Sequence, residues 1–419
     1  MKKLLALLLA LAMIACLFVG CAGDTEKPSD DSKEPASSSD ESKPEEPSSE
    51  EPTGETYKIA MITDYGDITD QSFNQTTYEA CKKFSDENGV EFKYYKPTDN
   101  TTAARVASID QAIEEGYNLI VMPGYAFGAA IVEAAPQNPE VKFFALDVAK
   151  GDLLETAVAN KGEEYNWDPD SYELDKYVDM SNVYCVVYQE ELCGYMAGYA
   201  AVKLGYTKLG FLGGMAVPAV QRYGHGFVQG VDAAAKDSGI KVELKYVYGG
   251  QFNGDADITA VMDTWYAGGT EVVFACGGGI FTSAAEAAKK VNAKVIGVDV
   301  DQAGIIDGGY GEGMTLTSAM KGLAPATIDT LTDIVKNGNW SKYVGKIATL
   351  GLVSGDDPEL NYVQLPMEST QWEDGKFTKD DYKALVKDMF DGKITVSNDT
   401  SKLPDVTNVT IDDQGKIKG

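Results

Sequence analysis

Histidine is almost missing from this 419-residue chain: only His225 occurs, within a helix-like stretch where it reads as a packing or surface residue. That argues against a Cys/His metal centre. Cysteine is also sparse. Cys81, Cys185, Cys193 and Cys276 form no CxxC pair and no metal-ligand spacing. Cys185 falls on a strand pattern and suits a small buried apolar position, while its distance in sequence from Cys193 leaves a disulfide open. Basic residues are outnumbered 36 to 65, giving a formal net charge of -29. Such a surface repels phosphate backbones, which argues against nucleic acid as a partner and for simple solubility. No GxSxG elbow, GxxxxGK[ST] loop or GxGxxG turn is present, so a hydrolase elbow, a nucleoside triphosphate and a dinucleotide all lack their usual mark.

The N-terminus carries Lys2 and Lys3, then an apolar run from Leu4 to Phe18 that is short for a membrane span. It reads as an export signal. Phe18-Val19-Gly20-Cys21 is similar to a bacterial lipobox, in which Cys21 is lipidated and becomes the mature N-terminus. Cys16, after Met13-Ile14-Ala15, is a second candidate, but a polar stretch follows Cys21 at once. A cleaved signal without lipid and an uncleaved anchor are the plainer alternatives. Residues 22–56 are mostly Ser, Pro, Asp, Glu and Lys. They lack the apolar surface needed to offset ordering entropy and read as a disordered, self-repelling tether.

From residue 57 the pattern alternates strand and helix. Strands are expected at 58–62, 91–95, 118–122 and 142–146, with helices at 72–87, 101–115 and 127–135. Residues 149–181, acidic and Tyr-rich, break the rhythm and read as an inserted surface loop without chemistry. A second series follows: strands at 182–188, 209–212, 241–246, 271–274, 294–298 and 314–318, and helices at 189–204, 219–238, 257–267, 281–291 and 321–336. The tail from about 346 reads as strands, a helix at 379–390 and a short strand at 393–396. Two such βα series imply an α/β protein of two similar lobes, each with a parallel sheet covered on both faces.

Polar residues recur just past strand ends: Asp64, Gly124, Asp147, Gly213-Gly214, Gly277 to Gly279 and Asp299. One such residue is usually a turn former. Repetition points to a ligand crevice, because strand ends of one sheet converge. The acids suit general acid–base work or hydrogen-bond acceptance, and the second needs no missing nucleophile. Cys276-Gly277-Gly278-Gly279 opens a helix and offers backbone N–H groups to an oxygen, or else serves close packing. Phe73 and Phe252 follow strands in different halves of the chain. Facing each other they would clamp a flat group, each stack worth about 1 kcal/mol beyond burial; taken singly, each also suits a core.

Thr63-Asp64 with Asp70-Gln71-Ser72-Phe73-Asn74-Gln75, Gly213-Gly214 with Val217-Pro218 and Gly226-Phe227, Ile296-Gly297-Val298-Asp299-Val300-Asp301-Gln302, and Thr317-Ser318 with Lys321 together resemble the basic membrane protein family. Its members are substrate-binding lipoproteins of ABC importers and include purine nucleoside receptors. The resemblance spans about residues 58–336 and implies a type I periplasmic-binding-protein fold, two Rossmann-like lobes closing on a ligand. The lobes expected are 57–188 plus about 320–337, and 189–319 plus about 338–419. By the resemblance, Phe73 and Phe252 sandwich a purine, Asp64, Asn74 and Asp147 bond the base edge, and Asp299, Lys321 and Gly277 or Gly278 hold the ribose. Gln71 stands where Lys is common, and Tyr125 where Phe is. What the resemblance implies is a lipid-anchored, extracytoplasmic, monomeric receptor, not an enzyme, with no cofactor. It would deliver a purine nucleoside to an ABC permease and its ATPase. Rival readings are a receptor for a sugar or other polar molecule, a nucleoside hydrolase, and a sensory protein. A LacI-type regulator shares the fold, but an exported N-terminus and the absence of a basic helix-turn-helix argue against it.

Overall fold

Mostly apolar runs build the central strands of this protein. Leu119–Pro123 and Lys142–Leu146 are buried at every position, as strands covered on both faces of a parallel sheet must be. The computed structural model describes residues 56–418. The signal segment, Cys16, Cys21 and residues 22–55 of the tether lie outside the described residues.

The first series runs β1 (Lys58–Ile62), α1 (Phe73–Asn88), β2 (Glu91–Tyr95), α2 (Thr102–Glu114), β3 (Leu119–Pro123), α3 (Phe127–Ala134), β4 (Lys142–Leu146), α4 (Lys150–Asn160) and β5 (Val183–Tyr188). The second runs α5 (Glu190–Lys203), β6 (Lys208–Gly213), α6 (Pro218–Ser238), β7 (Val242–Tyr248), α7 (Ala256–Ala267), β8 (Val272–Cys276), α8 (Phe281–Lys289), β9 (Lys294–Asp299), α9 (Ala303–Tyr310) and β10 (Thr315–Lys321). After them come α10 (Leu323–Leu331), β11 (Lys346–Leu350), β12 (Val363–Gln364), α11 (Lys379–Phe390) and β13 (Val409–Lys416).

Two sheets result, in the orders β2-β1-β3-β4-β5-β11 and β13-β7-β6-β8-β9-β10-β12. Each contains the same doubly wound 2-1-3-4-5 arrangement, which opens a crevice where the strand order reverses. Only the β10–β12 pairing is antiparallel among the described strands. The chain passes between the sheets after β5, after β10 and again after β11. Side chains alternate across β1: Ile59 and Met61 join one apolar cluster, Ala60 and Ile62 another. The larger cluster continues through Ala197 and Phe227 to Phe274 and Leu316, and so ties the two sheets together. The small-residue face of α5 lets α6 pack backbone to backbone: a Cβ on Gly194 would lie 2.2 Å from the Tyr223 carbonyl oxygen.

Several expectations need correction. Residues 149–181 are not a featureless loop. They begin with α4 and bury Leu154, Val158 and Tyr165 in a small cluster of their own. Residues 346–350 join the first sheet beside β5, so the segment returned to the first lobe runs past 337 to Leu350. Lys321 ends a strand instead of starting a helix. Residues 393–396 form no strand; the tail instead ends in β13, parallel to β7. The short helix α9 escapes the sequence reading altogether, its periodicity diluted by Gly304, Gly308 and Gly309. The described cysteines, Cys185 and Cys193 included, are free and buried. No described helix is long and apolar enough to cross a membrane.

Candidate functional site

The carboxyl ends of β1, β3 and β4 meet those of β6, β8, β9 and β10 around a cavity of about 440 Å³. Asp64, Phe73, Asn74, Asp147, Phe252, Gly277, Gly278, Asp299 and Lys321 all line it. Parallel sheets place their ligand crevices at this position.

On the first lobe, the turn between β1 and α1 is organised by two carboxylates. Asp64 Oδ1 accepts from the backbone N–H of Tyr65 (2.6 Å) and of Gly66 (2.7 Å) and from Asn74 Nδ2 (3.1 Å). No described residue donates to its Oδ2. Asp70 accepts from the backbone N–H groups of Ser72, Asn74 and Gln75, which caps the orphan donors at the start of α1. Asn74 Nδ2 also donates to Asp70 Oδ2 (3.0 Å). Both amide hydrogens of Asn74 are therefore engaged by the turn. Asn74 thus bridges Asp64 and Asp70 while lining the cavity.

Below the turn lies a buried charge cluster. Lys321 Nζ pairs with Asp147 Oδ2 and sits 3.5 Å from Asp299 Oδ1 and 3.6 Å from Glu190 Oε1. The ring of Phe73 lies 4.7 Å from the same nitrogen. Burial works against the Lys321 ammonium, but Asp147, Asp299 and Glu190 outweigh it and hold the pKa above the ordinary lysine value. Burial lifts Asp147 to about 6; Lys321 pulls it down, while Glu190 and Asp299 push it up. Asp147 and Asp299 occupy equivalent places, at the end of the fourth strand of each lobe. Both have left-handed backbones, with φ of 60° and 65°. Non-glycine residues rarely adopt that conformation, and it concentrates at functional sites.

Glu190 and Arg222 complete the cluster. Glu190 has no exposure, and its Oε2 accepts from Arg222 Nε at 2.7 Å. Asp147 Oδ1, Tyr188 OH and Glu190 Oε1 are buried without a hydrogen-bond partner among the described residues. They leave bonding capacity beside the cavity. Asp152, from α4, also lines the cavity. Burial pushes its carboxyl up to about 7, against the Ala149 N–H and Arg222, which lower it.

The second lobe supplies the opposite wall. Gly214 is open enough to seat the Phe252 ring; a Cβ there would lie 2.4 Å from Phe252 Cδ1. The lobes touch around the cavity. Ser72 Oγ donates to Asp299 Oδ2 (2.7 Å), and Gln302 Nε2 donates to the Gln71 carbonyl (3.3 Å). The hydroxyls of Tyr65 and Tyr125 both approach Met215 Sδ, at 3.8 and 3.9 Å. The sequence reading missed Ser72, Asp152, Glu190, Arg222 and Tyr223 as parts of the site. Glu190 carried one signal, an acid two residues past a strand end, but at the start of a helix an acid also suits the helix dipole.

Residues 57–369 match the family model described as ABC transporter substrate-binding protein, PnrA-like. The ABC transporter nucleoside-binding protein BmpA of Lactococcus lactis subsp. cremoris is 28% identical over 357 residues, 81% of this chain and 88% of that protein. Basic membrane protein B of Borreliella burgdorferi is 27% identical over 313 residues, 73% of this chain and 81% of its own. Among solved structures, a solute-binding protein of an ABC transporter system from Aeropyrum pernix K1 aligns with a TM-score of 0.59 at 21% identity, covering 82% of this chain and 88% of that one. One from Conexibacter woesei aligns at 0.58 and 20%, covering 82% and 99%. These two structures share the fold.

Proposed function

The chain belongs to the PnrA-like family of ABC transporter substrate-binding proteins, and we propose that it binds a purine nucleoside between its lobes and passes it to a membrane permease. Members of this family are extracytoplasmic solute-binding proteins, not enzymes. The observation that carries the nucleoside reading is one cavity lined by Phe73 from the first lobe and Phe252 from the second, together with Asp64, Asp147, Asp299 and Lys321.

Its volume suits a small molecule. A flat base would stack between the two rings. Its N–H donors would meet Asp64 Oδ2 and Asp147 Oδ1, the oxygens that no described residue bonds. The sugar hydroxyls would meet Asp299, Lys321 and the backbone of Gly277 or Gly278. Six aspartates line the cavity against Lys96, Arg222 and Lys321, so a phosphate group would be repelled. Hydrogen bonds to charged groups contribute roughly 1.5–3 kcal/mol each. With two stacks and after ordering costs, binding of about -8 kcal/mol, a micromolar Kd, follows. A ligand touching both lobes favours the closed form, which the permease would recognise. The name of the Lactococcus relative, a nucleoside-binding protein, supports the same class. We place the lipid anchor at Cys21 and take the working unit as a monomer.

Calorimetry with adenosine, guanosine, inosine, cytidine and a sugar panel tests the reading. Purine nucleosides should bind with micromolar affinity or better, and Phe73→Ala or Asp147→Ala should weaken them about tenfold or more without unfolding the protein. Binding of sugars alone, or unchanged affinity in both variants, would overturn it.

A further inference from the structure

The C-terminal strand lies beyond the family-matched residues, which end at 369, yet it ends against the loop that carries Phe252. β13 extends the second sheet alongside β7, with Lys416 opposite Tyr248. One residue later the Ile417 N–H donates to the Tyr248 carbonyl at 2.9 Å, and its side chain packs into the apolar cluster of that lobe. The next four residues after Tyr248 are Gly249, Gly250, Gln251 and Phe252.

The loop meets the tail directly at Gly250 and indirectly through Asp255. Gly250 takes φ of 85° and faces the chain end directly; a Cβ there would lie 2.8 Å from the Lys418 carbonyl oxygen. Lys418 Nζ pairs with Asp255 Oδ2 and lies 3.1 Å from Asp257 Oδ2. Gln251 Nε2 donates to that same Asp255 oxygen, at 2.5 Å. Asp255 also caps α7 through the N–H groups of Asp257 and Ile258, so a fixed helix end anchors one side of the loop. The opposite side is pinned by the Gly249 and Gly250 N–H groups, which donate to the carbonyls of Gly213 and Gly214. Phe252 thus projects from a short loop held between a helix cap, the β6 turn and the C-terminal strand.

We infer that the C-terminal strand is a positioning element of the binding site: Ile417 and Lys418 fix the loop from Gly249 to Phe252, and through it the placement of the Phe252 ring. Lys418 and Asp255 are half-buried and still reached by solvent, and ion pairs in contact with water contribute little to stability, so the effect belongs in ligand affinity and loop order more than in global unfolding. This inference rests on the nucleoside reading for its binding readout and on loop order for a readout that does not.

The test uses Lys418→Glu, which sets a like charge against Asp255 and Asp257 at a half-buried position, with Lys418→Arg as the charge-keeping control. Purine-nucleoside affinity should fall about fivefold in Lys418→Glu and return in Lys418→Arg. In a Phe252→Leu background, which lacks the ring, Lys418→Glu should bring almost no further loss. Amide hydrogen exchange across residues 249–254 should quicken in Lys418→Glu whatever ligand is present. Unchanged affinity, or an equal loss in both backgrounds, overturns the inference. If the unaltered protein binds no nucleoside, the function reading falls by itself. Exchange across the loop then decides the inference: faster exchange supports it and unchanged exchange overturns it.

Discussion

Replacing Lys321 with methionine keeps the side chain's reach and deletes its charge. The lysine is only 5% exposed. It pairs with Asp147 and lies 3.5 Å from Asp299 and 3.6 Å from Glu190. The loss does not fall evenly on these three. Asp299 keeps its bonds from Ser72 Oγ and Tyr223 OH, and Glu190 keeps Arg222. Asp147 keeps no partner for its Oδ2 among the described residues. A buried charge left without its partner costs about 3–5 kcal/mol, unless it takes up a proton. With Lys321 present, burial already lifts Asp147 to about 6, and without the lysine it rises further. A carboxyl whose folded pKa exceeds its unfolded one destabilises the fold as pH climbs from the unfolded value through the folded one. The variant should therefore lose about 3–5 kcal/mol at pH 8. At pH 5 the loss should shrink to about 1–2 kcal/mol, mostly the lost contact with the Phe73 ring. Lysine titration itself does not enter this window. Its raised pKa keeps the ammonium's contribution intact until pH exceeds the ordinary lysine value. Urea unfolding of both proteins at the two pH values measures the difference. Equal losses at pH 5 and pH 8, or a loss under about 1 kcal/mol at pH 8, would refute the idea that Lys321 holds Asp147 ionised.

Two further expectations follow from the same geometry. Ser72→Ala removes a 2.7 Å bond between the lobes, one that would be lost if the lobes moved apart. Nucleoside affinity should drop about tenfold with little change in Tm, and calorimetry that finds equal affinity counts against a closing role for Ser72. Asp152→Asn keeps an acceptor for the Ala149 N–H but removes a carboxyl that burial has raised to about 7. The wild type loses stability from this group as pH rises from about 4 to 7. Differential scanning calorimetry should then show the variant gaining Tm on the wild type at pH 8 and not at pH 4.5. A gain independent of pH would show that the carboxyl is not the cause.

Much of the fold was legible because buried strands in a twice-covered sheet are nearly unbroken apolar runs, as in Leu119–Pro123, and their ends were marked by Asp, Gly or Pro. The strand-end acids and the two Phe rings were legible for the same reason: topology alone brings strand ends together. Pairing inside the site was not. Nothing in the local sequence around Asn74 says that its amide would be held by Asp64 and Asp70, because that depends on a turn closing around it. Glu190 and Arg222 look like an exposed helix start and an exposed helix face; only the packing of α5 on α6 buries Glu190 and half-buries Arg222. In α4, Leu153, Leu154, Ala157 and Val158 mark an inner face, but the polar, Tyr-rich run behind them masks so short a pattern.

The late arrival of β11 sets a timing problem for synthesis. By Tyr188 the chain has made the first five strands of its first sheet, and β5 then presents an apolar, unpaired edge. Its covering strand lies at Lys346–Leu350. At 5–20 residues per second, a ribosome takes about 8–30 s to add the intervening residues. An open edge of this kind is a template for pairing with other chains. A lobe that folded as it emerged would stand exposed for that whole interval. A chain kept unfolded until its full length is available avoids it, which suits a protein whose work is done outside the cytoplasm.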